Sequence, residues 1–214
     1  MAGIDGIVAG ASRRLEEKNR ARDRALIDSR QIVRHAANTI RALHRGEHEQ
    51  AEENLRGGRE MVAATKRDLA THPDLYWAGY VQDAQKEFAE AYLVSSMIRG
   101  REIPGPDELG VEVAPYLNGM AEAASEMRRY ILDVIRHGGA DEMRDAERAL
   151  AVMDDVYISL ITVDFPDSIT GGLRRTVDAL RAVLERTRGD LTISLRQSEL
   201  ERALRSSHTA GEAP

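Results

Sequence analysis

The stretch Asp74 to Arg99, DLYWAGYVQDAQKEFAEAYLVSSMIR, decides the fold. At helical spacing Trp77, Tyr80, Val81, Ala84, Phe88, Ala91 and Ile98 share one stripe, which predicts a helix buried along one side, with Asp74 as its N-cap after Pro73. Glu87 and Glu90 stand three residues apart, so on a helix they project side by side, about 5–6 Å between Cβ atoms. Val94 and Met97 continue their strip with apolar side chains. Two acids at the edge of a buried face repel each other and resist desolvation, and a cation relieves both costs. Read alone, the pair also fits a solvated helix face with Lys86 and Arg99 as ion-pair partners.

Outward from this stretch the chain has the composition of an all-α protein. Its 214 residues suffice for one well-filled core, and 42% are hydrophobic, with only two Phe and one Trp among abundant Ala, Leu, Glu and Arg. No hairpin dipeptide lies between alternating segments, so strands are not expected. A net charge of -6 argues against a uniformly basic nucleic-acid coat and leaves room only for a basic patch. Cysteine is absent, which excludes disulfides and thiolate metal sites. Neither a signal peptide nor a membrane span is discernible, so a cytoplasmic protein with no membrane partner is expected.

The predicted organisation is a short flexible start over residues 1–11, a single all-α domain over 12–205, and a loose tail over 206–214. Within the domain the spacing predicts an antiparallel bundle of about six to seven helices. A long helix from Ser12 stops at Gly46, and a second spans Glu49 to Ala70. After the organising helix, Gly100 to Gly110 is a connector. Further helices follow from Pro115 to His137, stopped by Gly138 and Gly139, and from Asp141 to Val163. DFPDSITGG then breaks the chain before a last helix from Leu173 to Leu204, with Gly189 as a candidate interruption.

Several residues could carry chemistry. Glu122 and Asp155, the latter beside Asp154, are further acids inside apolar-periodic segments, although acids on helices are usually solvated. Carboxylates on facing helices, without sulfur ligands, suit Mg²⁺ or Mn²⁺ rather than zinc. His44, Glu47 and His48 fit a H-x-x-E-H zinc pattern, but Gly46 breaks the helix that the pattern requires. Nucleophile elbows and phosphate-binding glycine loops are missing from the sequence. Arg34, Arg41 and Arg45 on the first helix, and Arg174 and Arg175 on the last, are candidates for phosphate contacts or for a solvated face.

Three segments resemble the translin superfamily: SRQIVRHAANTIRALHRG (Ser29 to Gly46), PYLNGMAEAASEMRR (Pro115 to Arg129) and GLRRTVDALRAVLE (Gly172 to Glu185). The resemblance extends in order from about residue 20 to 190. It implies an all-α fold of about seven helices assembling into a closed oligomer, either a homo-oligomer such as an octamer or a hetero-oligomer with a paralogue. Translin itself is apolar where its partner, translin-associated factor X, carries glutamates in a segment Q-E-Y-V-E-A; here the segment reads K-E-F-A-E-A. Glu87 and Glu90 therefore match the catalytic branch, Asp155 matches a further catalytic aspartate, and Glu122 replaces an acid of the Y-L-x-G-x-x-D segment. Glu126 is common to both branches and reads as a residue of the fold.

The resemblance implies an Mg²⁺-dependent endoribonuclease that cleaves single-stranded RNA by attack of a metal-activated water, with Glu87, Glu90 and Asp155 catalytic and Glu122 a fourth ligand. Two alternatives stay open at this level. One is a translin-like oligomer that holds single-stranded RNA or DNA without cutting it, and the other is a helical scaffold with no nucleic-acid role.

Overall fold

The computed structural model describes residues 3–137 and 140–211. Every element among them is helical: α1 (Ile4–His44), α2 (His48–Asp68), α3 (Pro73–Tyr76), α4 (Gly79–Arg99), α5 (Pro106–Leu109), α6 (Val113–His137), α7 (Ala140–Leu160), α8 (Asp167–Thr170) and α9 (Leu173–Gly211). Six of these are long, as the 3.6-residue periodicity predicts, and α3, α5 and α8 are single turns inside the connectors. None is long and apolar enough to cross a membrane.

Helix α4 packs between α1 and α6, α2 covers α1, and α6 carries α7 and α9 on its far side. The two central helices therefore share their seam with neighbours on both flanks. Phe88, Leu93, Met127, Ile131, Met153, Leu180 and Leu184 are fully buried along this stack. Asn118 fastens its far side: its amide nitrogen donates to the Thr170 carbonyl at 2.7 Å, and its amide oxygen accepts from Thr176 Oγ1 at 2.8 Å. Both bonds are shielded from water, where a polar group left unpaired would be costly.

The boundaries differ from the sequence reading in instructive places. Asp74 is not the N-cap of the organising helix. It lies in the first turn of α3 and ion-pairs with Lys18, and α4 restarts after Ala78, whose backbone is extended. Trp77, assigned to the buried stripe, falls at this break and is 60% exposed. Helix α1 begins at Ile4, well ahead of Ser12, with Ile4, Ile7 and Val8 exposed. Helix α9 passes through Gly189 without interruption and continues beyond Leu204, because no proline intervenes before Gly211. The expected stop at Gly138 and Gly139 lies outside the described residues.

At Gly46 the reading agrees with the structure. Its φ of +72° is a left-handed turn that places His44 at the end of α1 and His48 at the start of α2, so the H-x-x-E-H pattern spans two helices. The zinc motif is broken in space as it is in sequence.

Candidate metal centre

The seam between α4 and α6 is unusually close at one point. A Cβ built on Gly119 would lie 2.7 Å from the Lys86 carbonyl oxygen, 3.0 Å from the Glu90 nitrogen and 3.1 Å from the Ala89 Cβ. Only glycine lets the α6 backbone rest on this turn of α4, and the small buried residues Ala89, Ala121 and Ala123 continue the contact. The same turn of α4 carries Glu87 and Glu90, and α6 brings Glu122 to them three residues beyond Gly119.

Glu87 and Glu90 come from α4 and Glu122 from α6, and one carboxylate oxygen of each lies within 4.8 Å of the other two. Lys86 closes the group. Its Nζ is 2.9 Å and 2.8 Å from the two oxygens of Glu122 and 3.4 Å from Glu87 Oε1. Burial works to lower the Lys86 pKa, but the hydrogen bond and charge of Glu122, joined by Glu87, outweigh it and hold the ammonium above its ordinary range. Burial pushes the Glu90 carboxyl up to about 8, and the charges of Glu87, Glu122 and Glu126 add to the shift while Lys86 opposes it.

Glu126 therefore faces the same centre. It stands one turn beyond Glu122 on α6 and pairs with His44 Nε2 at 2.7 Å, and His44 Nδ1 lies 4.0 Å from Asp133. The His44 side chain is only 3% exposed, so the end of α1 is pinned to α6 beside the acids. Sequence reading placed Glu126 with the fold and His44 in a rejected zinc motif. The local signal for Glu126 was its four-residue spacing from Glu122, which puts both acids on one helix face.

The four predicted acids do not all meet. Asp155 is exposed on α7 and lies outside the group. The inward face of α7 runs through Ala149, Met153 and Leu160, and a residue two positions beyond Met153 points to the opposite side. Its neighbour Asp154 pairs with Arg188 of α9. Glu122, the weaker expectation, is the acid that α6 delivers to the α4 pair.

The candidate phosphate-binding arginines stand on two separate elements. Arg34, Arg41 and Arg45 are exposed on or just after α1, and Arg45 is held in a two-pronged contact with Glu47 at 2.8 Å and 2.6 Å. Arg174 and Arg175 are exposed in the first turn of α9, which packs on α6 and α7 rather than on α1's partners α2 and α4.

The donor set fits a hard divalent ion. An octahedral ion with bonds of about 2.0–2.1 Å holds adjacent ligand oxygens about 3 Å apart and opposite ones about 4 Å apart, so oxygens that lie within 4.8 Å of one another close by at most about 2 Å. All donors are oxygens, and a dication would relieve both the mutual repulsion and the burial cost that disfavour ionised Glu90.

No protein-family model matches the chain. It is 29% identical over 193 residues to an uncharacterized protein of Methanocaldococcus jannaschii, covering 89% of this chain and 84% of that one. Among solved structures it is similar to AfC3PO, both in its crystal structure and in complex with duplex RNA. In each case the identity is 31%, the TM-score is 0.80, and 89% of this chain and 97% of the other are covered. The crystal structure of apo-NeC3PO, at 18% identity, shares the fold with a TM-score of 0.77 over 91% of this chain and 98% of the other.

Proposed function

This chain belongs to the translin superfamily, beside the C3PO proteins, and on that premise we propose that it binds RNA in a self-assembled oligomer and cleaves single-stranded RNA as an Mg²⁺- or Mn²⁺-dependent endoribonuclease. The observation that carries this reading is the meeting of Glu87, Glu90 and Glu122 across the seam of two helices. An acid cluster so placed costs folding energy, and a bound cation offsets that cost. The solved complex of AfC3PO with duplex RNA supports RNA as the ligand class.

In this reading Glu87, Glu90 and Glu122 hold the ion, which when bound supplies the Lewis acid and the activated water of phosphodiester hydrolysis. Glu90 gives up its proton on loading. His44 fixes Glu126 at the edge of the site, so the acid remains aimed at the centre without freedom to wander.

The purified protein should cut single-stranded RNA in the presence of Mg²⁺ or Mn²⁺ and stop on addition of EDTA. Glu90→Ala and Glu122→Gln should each lower the rate by at least about a hundredfold with helicity intact, and Asp155→Asn should leave it unchanged. Retention of RNA without cleavage under any divalent ion would leave a binding module. Loss of activity in Asp155→Asn would return that residue to the site.

A further inference from the structure

Lys86 is the feature that the metal reading leaves unexplained. Spacing places Lys86 beside Glu90, four residues on, and the Lys86 charge acts on that carboxyl, but Glu90 is not its direct partner. Its four-carbon stem instead crosses the seam to α6. There the ammonium touches both oxygens of Glu122, at 2.9 Å and 2.8 Å, and approaches Glu87 at 3.4 Å. A cation seated on both oxygens of one carboxylate, and next to a second, occupies the place where a divalent ion would be chelated. The ammonium lies between those two oxygens, so an ion chelated by both would have to take its place.

We propose that the Lys86 ammonium is the resident counter-ion of this centre, holding Glu122 and Glu87 in the metal-free protein and yielding them to the divalent ion, after which it binds a phosphate oxygen of the RNA. The inference rests on the metal-dependent reading above. Three features of the residue support it. Lysine is a compact point charge on a flexible stem, so the same chain that reaches Glu122 can swing away. Its side chain is 23% exposed, which leaves a path toward a substrate. Replacing one positive charge by two among three carboxylates is favourable, so displacement has a driving force. The released ammonium remains beside the seam, at the distance where an anionic phosphate must approach the same ion.

Lys86→Gln separates this role from a purely structural one, because it moves two readouts in opposite directions. By calorimetry on the full-length protein, Mn²⁺ should bind Lys86→Gln about tenfold more tightly than wild type, since no ammonium competes for Glu122. At saturating Mn²⁺ the same variant should cleave single-stranded RNA at least about tenfold more slowly and with a raised KM, since the phosphate has lost a cationic partner. Lys86→Arg, which keeps a cation on Glu122, should show no such tightening of Mn²⁺ binding, and circular dichroism of all variants checks the fold. Unchanged or weaker Mn²⁺ binding in Lys86→Gln, or undiminished cleavage by it, overturns the inference while wild-type Mn²⁺ binding keeps the metal reading intact. Absence of Mn²⁺ binding in both wild type and Lys86→Gln overturns the metal reading itself.

Discussion

At Glu90, burial and the charges of Glu87, Glu122 and Glu126 act on one carboxyl group, and they raise its pKa from 4.5 to about 8. The folded protein therefore keeps a proton there that the unfolded chain has released, across the whole interval between those two values. A group with a raised native pKa stabilises the fold fully below the unfolded value, and that contribution is lost as pH rises through the native one. At about 1.4 kcal/mol per unit the loss is on the order of 5 kcal/mol. In EDTA, the Tm of the wild-type protein should fall between about pH 5 and 8, and Glu90→Gln, which cannot ionise, should flatten that slope. Every other ionisable group is common to both proteins, so the difference between the two curves reports Glu90. Parallel curves would mean that the carboxyl ionises without strain.

The pairing of α4 with α6 depends on Gly119, and the element is where a single methyl group should be felt most. In Gly119→Ala the added Cβ would meet backbone atoms of Lys86 and Glu90 at 2.7 Å and 3.0 Å, neither of which can rotate away. The helices must separate, at a cost of about 1–3 kcal/mol, and Glu122 must withdraw from the α4 acids. Urea denaturation should show that loss, and calorimetry should show weakened Mn²⁺ binding. Gly189 is the matched control. It lies inside α9 with nothing within 4 Å of a built Cβ, so Gly189→Ala should gain about 0.5–1 kcal/mol. Equal effects at the two glycines would deny the seam its close contact.

This seam also marks the boundary of what the sequence discloses. The long helices were legible because periodicity is local: Val81, Ala84, Phe88 and Ala91 announce the buried face of α4 by spacing alone, Gly46 announces the end of α1 and Gly100 that of α4 itself. Glu87 and Glu90 were legible for the same reason, being on one helix. Glu122 was legible only through the family resemblance, which named Asp155 beside it, because which helix lies against α4 is encoded in no local pattern. The break at Trp77 and Ala78 was equally silent, since an exposed Trp77 and a buried one occupy the same place in the periodic stripe. Lys86 looked like a surface ion-pair partner until α6 brought Glu122 to it.

At the scale of the whole molecule, one protomer leaves apolar surface without cover. Ile158, Ile161, Phe165 and Ile169 are between 51% and 64% exposed around the end of α7 and α8, and Ile161 and Phe165 line one hollow with Leu160, Val163 and Val177. Ile4, Ile7 and Val8 are similarly bare at the opposite end of the sequence. Soluble monomers rarely keep contiguous apolar patches of this kind, and their burial between copies is the ordinary remedy. The acid centre has the same need: Glu87, Glu122 and Glu126 each keep between 28% and 34% of their side chains exposed, so an ion bound by a single protomer would face solvent. Light scattering at micromolar concentration should therefore return a multiple of the 23.7 kDa chain mass. Ile161→Asp combined with Phe165→Asp places two charges in the hollow, where desolvation opposes any contact, and should shift the protein to a smaller species with its helicity unchanged. If the hollow is an interface, the smaller species should bind RNA more weakly while each protomer still binds Mn²⁺, because the ion's ligands all come from one chain. An unmodified protein that scatters as a monomer would refute assembly, and an undisturbed oligomer in the double variant would move the interface away from α7 and α8.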